Sequence, residues 1–548
     1  MQLKKNHLIG FSILLLLISL FSSINSIGLR GEESRRAVTG IEVYESGNVI
    51  VPLIHGKPYY NKPPLYSCIL AATYYITGSF EVWAVRIPGL LAFLLTGLLS
   101  FFIVRRYTNS DTAFLAAMAY FTCADLLFYA SINAGEIDLF YTLIAFSQII
   151  SIFHLYQKKE YAIMFLLSYL LAAIGTITKG IPSIAIQIIT ITSYLFYFKD
   201  WKTYFSWKHT FGILLFISIV GGYFYLYSRQ ANVVGFLENL YKESSKRTIS
   251  DSPYLSSLST LFTFPSQLMV ILLPWSLFIL YFFRKNIRSI IRSNPYLLFS
   301  VIYILTNIIF YWLSPRFKNR YAYIFLPNIT FVLSFFYFKF KNSDIKRTQL
   351  IENIWLTLII TFSILCLAIP FIDTLAQHVN NVWFYASLFT LLFALLSILY
   401  IKQKKYRLHI FVIALLTMRI SFNIFLIPYF NKEDEGLVYK NHVNNMLQIA
   451  KGETICYTGD SLKLIPNVSF FNIKLANTII YTPPLIPYQI PYYLSLQTKT
   501  ILSYSPVTEK GKLYLVHMKN LKDYHIDILY SFNDNWEYKK RMILYRKK

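Results

Sequence analysis

Residues 80–106 read FEVWAVRIPGLLAFLLTGLLSFFIVRR, an apolar stretch that ends in two arginines. A helix of about 20 apolar residues is long enough to cross the hydrocarbon core of a bilayer. Basic residues directly after such a helix are typical of its cytoplasmic end. We therefore predict a membrane-spanning helix over 80–104, with Arg105 and Arg106 on the cytoplasmic side.

The composition extends this prediction to the whole chain. Of its 548 residues, 55% are hydrophobic and 14% are charged, and the mean hydropathy is +0.46. A soluble domain carries roughly 25% charged residues, so this composition excludes a set of soluble domains, a disordered chain and a disulfide scaffold. The net charge of +25 is expected from basic cytoplasmic loops, and we predict no nucleic-acid partner.

Stretches of the same kind recur along the chain and predict about thirteen membrane-spanning helices. The first also resembles a secretory signal peptide, since Lys4 and Lys5 precede it, but its apolar stretch is long and no cleavage site is clear before Gly31. The predicted spans are 7–27, 80–104, 112–130, 136–156, 160–178, 180–198, 209–228, 264–283, 295–313, 321–338, 350–370, 382–401 and 407–428.

The distribution of charge predicts the orientation. With the N-terminus in the cytoplasm, that segment and the short cytoplasmic loops contain twenty Lys and Arg residues and few acids. This agrees with the positive-inside rule at every cytoplasmic loop. An odd number of spans then places the C-terminus outside, and the compositional bias favours a bacterial inner membrane.

Three longer regions are left on the outer side: the first loop 28–79, the loop 229–263 and the tail 431–548. The tail is polar and long enough for a small domain. Residues 433–450 suit an amphipathic helix, and short alternating runs suit strands. We predict an all-α membrane domain over 1–430 and a small extracytoplasmic α/β domain over 431–548. The predicted strands are Thr454–Tyr457, Lys512–His517 and Arg541–Tyr545.

The first outer loop opens with two carboxylates and two guanidinium groups. The segment Gly31-Glu32-Glu33-Ser34-Arg35-Arg36 directly follows the first span. Charge close to a membrane usually marks function, and this pattern suits a general base beside an anion clamp. It suits equally a solvated helix start with acids at its positive end. The residues by themselves leave both interpretations open.

Lys62 lies further along this loop, in Tyr59-Tyr60-Asn61-Lys62-Pro63-Pro64. Its side chain suits two roles. It could extend from the membrane interface to place its charge in water, or it could hold a phosphate. The two prolines favour an extended approach to a short helix in the membrane interface.

Four motifs follow one another over this region: E-E-S-R-R-A, S-G-N-x-I-V-P, K-P-P and W-A-x-R-I-P. Their order resembles the membrane-embedded GT-C glycosyltransferases, specifically the aminoarabinose (lipid A) transferases and their protein O-mannosyltransferase relatives. The family has thirteen spans, an outward C-terminal domain and a polyprenyl-phosphate sugar as donor. The resemblance is densest in residues 30–90 and weakest in the tail, and it specifies neither the sugar nor the acceptor.

The resemblance implies roles for individual residues. The family's Asp-Glu-x-Arg-Tyr pattern becomes Glu32, Glu33, Arg35 and Arg36 here, which leaves open which glutamate is catalytic. The implied site consists of the carboxylates Glu32, Glu33 and Asp138, the donor-phosphate ligands Lys62, Arg247, Arg320 and Arg35, and the substrate-contacting Tyr59, Tyr321 and Tyr323. Lys246 is the alternative to Arg247. Outside this site we expect Glu136 to be a helix-start charge, Lys179 to have a structural role and Asp125 to make a polar contact within its span.

Cofactors are not expected. The chain lacks a CxxC pair, the glycine-rich nucleotide loops and the H-E-x-x-H zinc motif. Where the aminoarabinose transferases have a glutamate as metal ligand, this chain has Asn61, and residues 229–263 contain no histidine. Both departures argue against the family's divalent metal site.

We therefore predict an enzyme that transfers a sugar from a polyprenyl-phosphate donor to a lipid, glycan or protein acceptor on the outer face of the membrane. Attack from the face opposite the phosphate inverts the anomeric centre. A transporter of an anionic substrate is an alternative, although such proteins more often contain two related halves with broken helices. A polysaccharide ligase or polymerase of another multispan family is a further alternative.

Overall fold

The computed structural model describes residues 4–245, 254–284, 286–314, 317–432, 434–459, 486–521, 525–534 and 541–548, and four short strand segments between 460 and 485. Helices dominate it. The α-helices are α1 (Lys5–Phe21), α2 (Glu32–Ser46), α3 (Leu65–Thr77), α4 (Val82–Tyr107), α5 (Ser110–Thr122), α6 (Ile137–Gln157), α7 (Tyr161–Lys179), α8 (Pro182–Tyr197), α9 (Trp201–Tyr204), α10 (Trp207–Ser228), α11 (Val233–Ser245), α12 (Tyr254–Ile271), α13 (Ile287–Arg292), α14 (Pro295–Trp312), α15 (Leu326–Phe340), α16 (Ile345–Ala368), α17 (Asp373–Ala376), α18 (Val382–Lys402), α19 (Arg407–Phe425), α20 (Ile427–Lys432), α21 (Glu435–Ala450) and α22 (Gln489–Thr498).

Shorter helical segments and strands complete the architecture. One π-helical turn covers Leu126–Ala130, and 3₁₀ segments cover Trp275–Phe282, Asn319–Phe325, Ile369–Phe371, Lys404–Tyr406 and Met518–Asn520. The strands are β1 (Leu53–Ile54), β2 (Lys57–Pro58), β3 (Ile455–Tyr457), β4 (Leu462–Ile465), β5 (Ser469–Phe470), β6 (Ile473–Lys474), β7 (Thr478–Tyr481), β8 (Leu513–His517), β9 (Ile526–Asn533) and β10 (Arg541–Lys547).

The predicted fold class is confirmed: a helical membrane domain carries a small C-terminal domain with a sheet. Nine helical segments of the described residues are long and apolar enough to cross a membrane. Four predicted spans fall on shorter or interrupted helices, namely α1, α5 with the π-helical turn, α8, and α12 with the 3₁₀ segment after it. The number of thirteen spans and the orientation of the termini stay predictions.

Helix α4 shows how its sequence divides between lipid and core. The exposed side chains Leu91, Leu95, Leu98 and Phe102 follow a spacing of three to four residues. This spacing places them on one face of the helix. The opposite face packs inward closely enough that a Cβ added at Gly97 would lie 2.0 Å from Phe121.

Two interrupted helices brace each other inside the bundle. Helix α5 ends at Thr122, and the backbone of Cys123 is extended. The freed amide of Ala124 donates a hydrogen bond to the carbonyl of Leu273 (2.8 Å), and the Trp275 indole donates to the hydroxyl of Thr122 (3.0 Å). These bonds satisfy polar groups that lipid would leave without partners.

The tail and the first loop share one hydrophobic core. The tail sheet has the order β3-β8-β10-β9, with β3 parallel to β8 and the other pairs antiparallel. Ala37 and Leu70, from α2 and α3, belong to the same buried cluster as Tyr439 and Leu515 of the tail. The first loop is therefore fixed between the membrane helices and the tail. Strand β9 of the tail sheet is not among the strands predicted from the sequence.

Candidate active site

Helix α2 brings three of the loop charges to one face. It begins at Glu32, after Gly31, whose φ of +44° lies in the region that favours glycine. Residues three and four positions apart lie on the same side of a helix. Accordingly, Arg35 pairs with the Glu32 carboxylate, and the Arg36 Nη2 lies 3.1 Å from the same Glu32 oxygen.

Glu33 faces the protein interior. Its carboxylate is fully buried and accepts hydrogen bonds from Arg86 Nη2 (2.9 Å), Arg86 Nε (3.1 Å) and the amide of Gly135 (2.8 Å). Arg86 also donates to carbonyls of the segment before α2, among them that of Ile27 (3.0 Å). These contacts bury Glu33 against Arg86 and favour a structural role, and the catalytic role predicted as an alternative stays a prediction.

A second set of charges faces Glu32 from the membrane helices. The Lys179 Nζ at the end of α7 lies 2.5 Å from the Asp138 carboxylate at the start of α6. The Arg320 guanidinium lies 2.6 Å from Glu136 and 3.7 Å from Asp138. Three separate elements therefore converge on one group of carboxylates and cations.

These charges line a polar cavity of about 130 Å³ at the end of the bundle beside the tail domain. A neighbouring cavity of about 420 Å³ shares part of its lining with the first. The charged residues that line the smaller cavity are Glu32, Arg35, Arg36, Lys62, Glu136, Asp138, Lys179, Lys318 and Arg320, with Asn61 and Tyr321 beside them. Six cations and three carboxylates make the cavity electropositive.

Two carboxylates of the cavity, Glu32 at the start of α2 and Glu136 directly before α6, have opposite electrostatic environments. Burial by itself raises the pKa of Glu32, but Arg35 and Arg36 outweigh burial and hold that pKa well below its usual range. Burial and the neighbouring Asp138 carboxylate raise the pKa of Glu136 to about 7, against the opposing effect of Arg320. At neutral pH Glu32 is ionised, whereas Glu136 is poised to gain or lose a proton.

Aromatic side chains form the edges of the site. The Arg35 guanidinium lies 6.0 Å from the Tyr59 ring centroid and 5.6 Å from that of Tyr488, a residue of the tail. The Lys179 ammonium lies 5.6 Å from the Tyr321 ring. The Tyr323 hydroxyl donates to Asp125 (2.5 Å), a residue that lines the larger cavity.

The structure thus brings together most of the residues predicted for the site. Those that line the smaller cavity are Glu32, Arg35, Lys62, Asp138, Arg320 and Tyr321. Tyr59 contacts Arg35 of this lining, whereas Tyr323 contacts Asp125 of the larger cavity. Arg247 and Lys246 lie outside the described residues. The roles of all these residues stay predictions.

Sequence reasoning assigned no chemical role to several residues that the structure places in the cavity. The sequence suggests an anion clamp that includes Arg36, but it assigns Glu136 only a helix-start charge and Lys179 only a structural role. Lys318 belongs to a cationic loop that contradicts the positive-inside rule, and this signal was available. Among the described residues, no group of three His, Cys, Asp or Glu side chains is suited to hold a metal ion, so we assign no residue to a metal.

Known sequences are similar to parts of this chain. The sequence profile of the dolichyl-phosphate-mannose-protein mannosyltransferase family matches residues 61–223. An Aquifex aeolicus protein without a described function is 23% identical over 343 residues, which cover 62% of this chain and 65% of the relative. A second protein of that organism is 26% identical over 344 residues, covering 59% of this chain and 77% of the relative.

A named transferase also matches part of the chain. The undecaprenyl phosphate-alpha-4-amino-4-deoxy-L-arabinose arabinosyl transferase of Edwardsiella ictaluri is 27% identical over 193 residues, which cover 34% of each chain. The matched region thus spans less than two thirds of the first Aquifex relative and about one third of this transferase.

Solved structures match over almost the full length. Crystal structures of ArnT from Cupriavidus metallidurans superpose with TM-scores of 0.69 for the undecaprenyl phosphate complex and 0.67 for the apo state, both at 15% identity. The match covers 99% and 98% of this chain, respectively, and 98% of ArnT in each case. The chain therefore has the fold of ArnT, and its predicted resemblance to the polyprenyl-phosphate-sugar glycosyltransferases is confirmed.

Proposed function

We propose that this protein transfers a sugar from a polyprenyl-phosphate donor to an acceptor on the outer face of the membrane. The observation that carries the proposal is the electropositive cavity in which Lys62, Arg320 and Glu32 meet from three separate elements. A cluster of fixed cations at the membrane surface suits a lipid-linked phosphate. A nearby carboxylate suits a hydroxyl acceptor.

The cations would stabilise the leaving phosphate. Negative charge grows on the phosphate oxygens as the glycosidic bond breaks, and pre-positioned cations lower the free energy of that transition state. Lys62 and Arg320 reach the cavity from separate segments of the chain, and Lys318 adds a third cation. The solved structure of ArnT with undecaprenyl phosphate supports a donor of this class.

An apolar groove suits the prenyl chain of such a donor. The groove encloses about 450 Å³ among α12, α14, α15 and the 3₁₀ segment Trp275–Phe282, and Leu272, Leu305 and Leu333 are among its lining residues. Arg320 lies on the 3₁₀ segment that leads directly into α15. A lipid chain in the groove and its phosphate at Arg320 would therefore both contact the continuous helical segment that runs from Asn319 through α15.

Glu32 and Glu136 are suited to different tasks at the acceptor. Glu32, ionised and held by two arginines, would accept a hydrogen bond from the acceptor hydroxyl and orient it. Glu136, with its pKa near neutrality, would take the proton as the oxygen attacks the anomeric carbon. Attack opposite the departing phosphate inverts that carbon. The acceptor is a lipid, a glycan or a protein.

The decisive experiment measures release of undecaprenyl phosphate by the purified full-length protein. A panel of undecaprenyl-phosphate sugars would be combined with lipid A, glycan and peptide acceptors, and products identified by mass spectrometry. We expect turnover with at least one combination. We expect Lys62→Met to lower kcat/KM by about 100-fold, as loss of a transition-state charge contact does.

Lys57→Met is the matched control. Lys57 lies in the same loop, on β2, but is exposed and outside the cavity lining. Equal loss in both variants would contradict the phosphate role of Lys62. Absence of turnover with every donor and acceptor, together with uptake of an anionic substrate into proteoliposomes, would favour a transporter instead.

A further inference from the structure

A second polar cavity lies at the opposite end of the helix bundle. Helix α15 begins next to the segment of Arg320 and ends at Phe340, and its 15 residues extend about 22 Å. Beyond this end lies a cavity of about 560 Å³ between the ends of α1, α5, α15, α16 and α19. Its size is within the range of about 300–1,000 Å³ that is typical of small-molecule sites.

The lining of this cavity has an excess of positive charge. Five basic residues, Lys5, Lys341, Lys404, Lys405 and Arg407, contribute to it. The two carboxylates of the lining, Asp111 and Glu352, are already paired with Lys5 and Arg407. The lining therefore contains three more basic side chains than acidic ones.

His409 is a second, independent feature of this cavity. Its side chain lines the cavity, and the residue is only 8% exposed. Both ring nitrogens are buried without a hydrogen-bond partner among the described residues, while the ring stacks on Phe114 at 5.0 Å. A neutral imidazole donates one hydrogen bond and accepts another, and a buried polar atom without a partner lowers stability.

The positive-inside bias explains part of this arrangement. It accounts for an excess of lysines at this end of the bundle. It does not account for a cavity of this size among them, or for a buried histidine in its lining whose ring nitrogens have no hydrogen-bond partner among the described residues. These two features favour a bound group with polar atoms.

We propose that this cavity is a binding site for a phosphate-bearing anion, separate from the glycosyl-transfer site. Lys341, Lys404 and Lys405 supply the compensating charge, and His409 supplies a directed hydrogen bond. The same chemistry fits the headgroup of an anionic phospholipid in the adjoining leaflet or a soluble phosphate compound. The site does not depend on the proposed transferase function.

The lipid source is tested with the purified full-length protein in mixed micelles of phosphatidylglycerol and phosphatidylcholine. Native mass spectrometry counts the lipids that stay bound. We expect the variant K341Q/K404Q/K405Q to retain about tenfold less phosphatidylglycerol than wild type, because each basic side chain near a charged lipid surface contributes several-fold to binding. K199Q/K202Q/K208Q is the control, since it removes three lysines from the segment after α8, which comprises α9 and the start of α10 and lies outside the cavity lining.

The soluble source is tested by thermal unfolding with inorganic phosphate against chloride at equal ionic strength. We expect phosphate to raise the Tm of wild type, and we expect this rise to disappear in His409→Phe, which preserves the aromatic stack. Selective loss of phosphatidylglycerol in the cavity variant supports a lipid ligand. A phosphate effect without lipid retention supports a soluble ligand. Neither effect, or equal losses in the control variant, would overturn the proposal.

Discussion

Glu32 and Glu33 are adjacent and chemically identical, yet their surroundings differ completely. Successive residues of a helix point about 100° apart, so α2 directs Glu32 into the cavity and Glu33 into the core. Glu32 keeps 31% of its side-chain surface exposed, whereas Glu33 is fully buried against Arg86. One is accessible to a substrate and the other is not.

Amide substitutions therefore separate the two roles. We expect Glu32→Gln to lower kcat by about 100-fold with little change in Tm, because an acceptor hydroxyl that is no longer oriented reacts more slowly. We expect Glu33→Gln to lower the free energy of unfolding by about 3 kcal/mol, because Arg86 would keep its charge in a buried site without a matched carboxylate. Thermal unfolding in detergent and sugar transfer are measured for both variants. The opposite pattern would exchange the two assignments.

We expect Glu136 to give the proposed reaction a pH dependence. Burial and Asp138 raise the pKa of its carboxyl group to about 7, so the folded protein holds it mostly protonated below that pH. A protonated carboxyl cannot take the proton of an acceptor hydroxyl. We therefore expect kcat to fall as pH decreases through about 7. Glu32 stays ionised over the same range because Arg35 and Arg36 keep its pKa low.

Substitutions at Glu136 identify the titrating group. Glu136→Gln should lower kcat and remove its dependence on pH near 7, whereas Glu136→Asp should retain an acidic limb. Rates are measured at saturating donor between pH 5.5 and pH 8.5. An unchanged acidic limb in Glu136→Gln would show that another group titrates.

At the scale of elements, the turn before α6 positions Glu136 through its contact with α4. A Cβ added at Gly89 would lie 1.8 Å from the carbonyl oxygen of Ala134, a distance no real contact allows. The backbone of α4 therefore lies directly against the turn that leads to Glu136 and Asp138. Close approach of this kind requires glycine.

Gly89→Ala should displace this turn. Because the obstacle is backbone rather than a flexible side chain, we expect the turn to move, Glu136 and Asp138 to leave their places opposite Arg320, and sugar transfer to fall by about tenfold or more. Gly222→Ala is the control, since Gly222 lies in the membrane helix α10 with no atom within 4 Å of an added Cβ. Transfer rates and Tm are compared for both variants, and equal rates would show that the packing does not position the site.

The elements of the membrane domain were largely predictable because hydrophobicity and loop charge are local signals. The nine long spans all coincide with predicted ones. The interruption after Thr122 was not predictable, since the bond from Ala124 to Leu273 that stabilises it joins residues far apart in sequence. Apolar composition predicts where a chain crosses a membrane. It does not predict where neighbouring elements permit a break.

The site was predictable in part for the same reason. Motifs identified Glu32 and Lys62, and the helical spacing of four residues between Glu32 and Arg36 was a usable signal. The chemical role of Glu136 was hidden, since its raised pKa depends on burial and on Asp138. The contribution of Tyr488 was equally hidden, because the tail reaches Arg35 only through the tertiary fold.

At the scale of the whole molecule, one tail residue anchors the start of the first loop. The carboxylate of Asp434 is fully buried and accepts hydrogen bonds from the amide of Gly28 and from Arg30 Nε, both at 2.7 Å. Since α2 starts directly after this segment and carries Glu32, the tail fixes the position of a proposed catalytic residue. Tail docking and catalysis should therefore be coupled.

Asp434→Ala should weaken both properties. Hydrogen bonds to a charged group contribute about 1.5–3 kcal/mol, so we expect faster hydrogen exchange in residues 28–46, easier proteolysis of the tail and slower sugar transfer. Glu453→Ala is the control, because Glu453 forms an exposed ion pair with Arg546 within the tail, and exposed pairs contribute little to stability. If hydrogen exchange over residues 28–46 increases in Asp434→Ala while transfer stays at the wild-type rate, the tail stabilises the loop without positioning Glu32, and the proposed coupling is wrong.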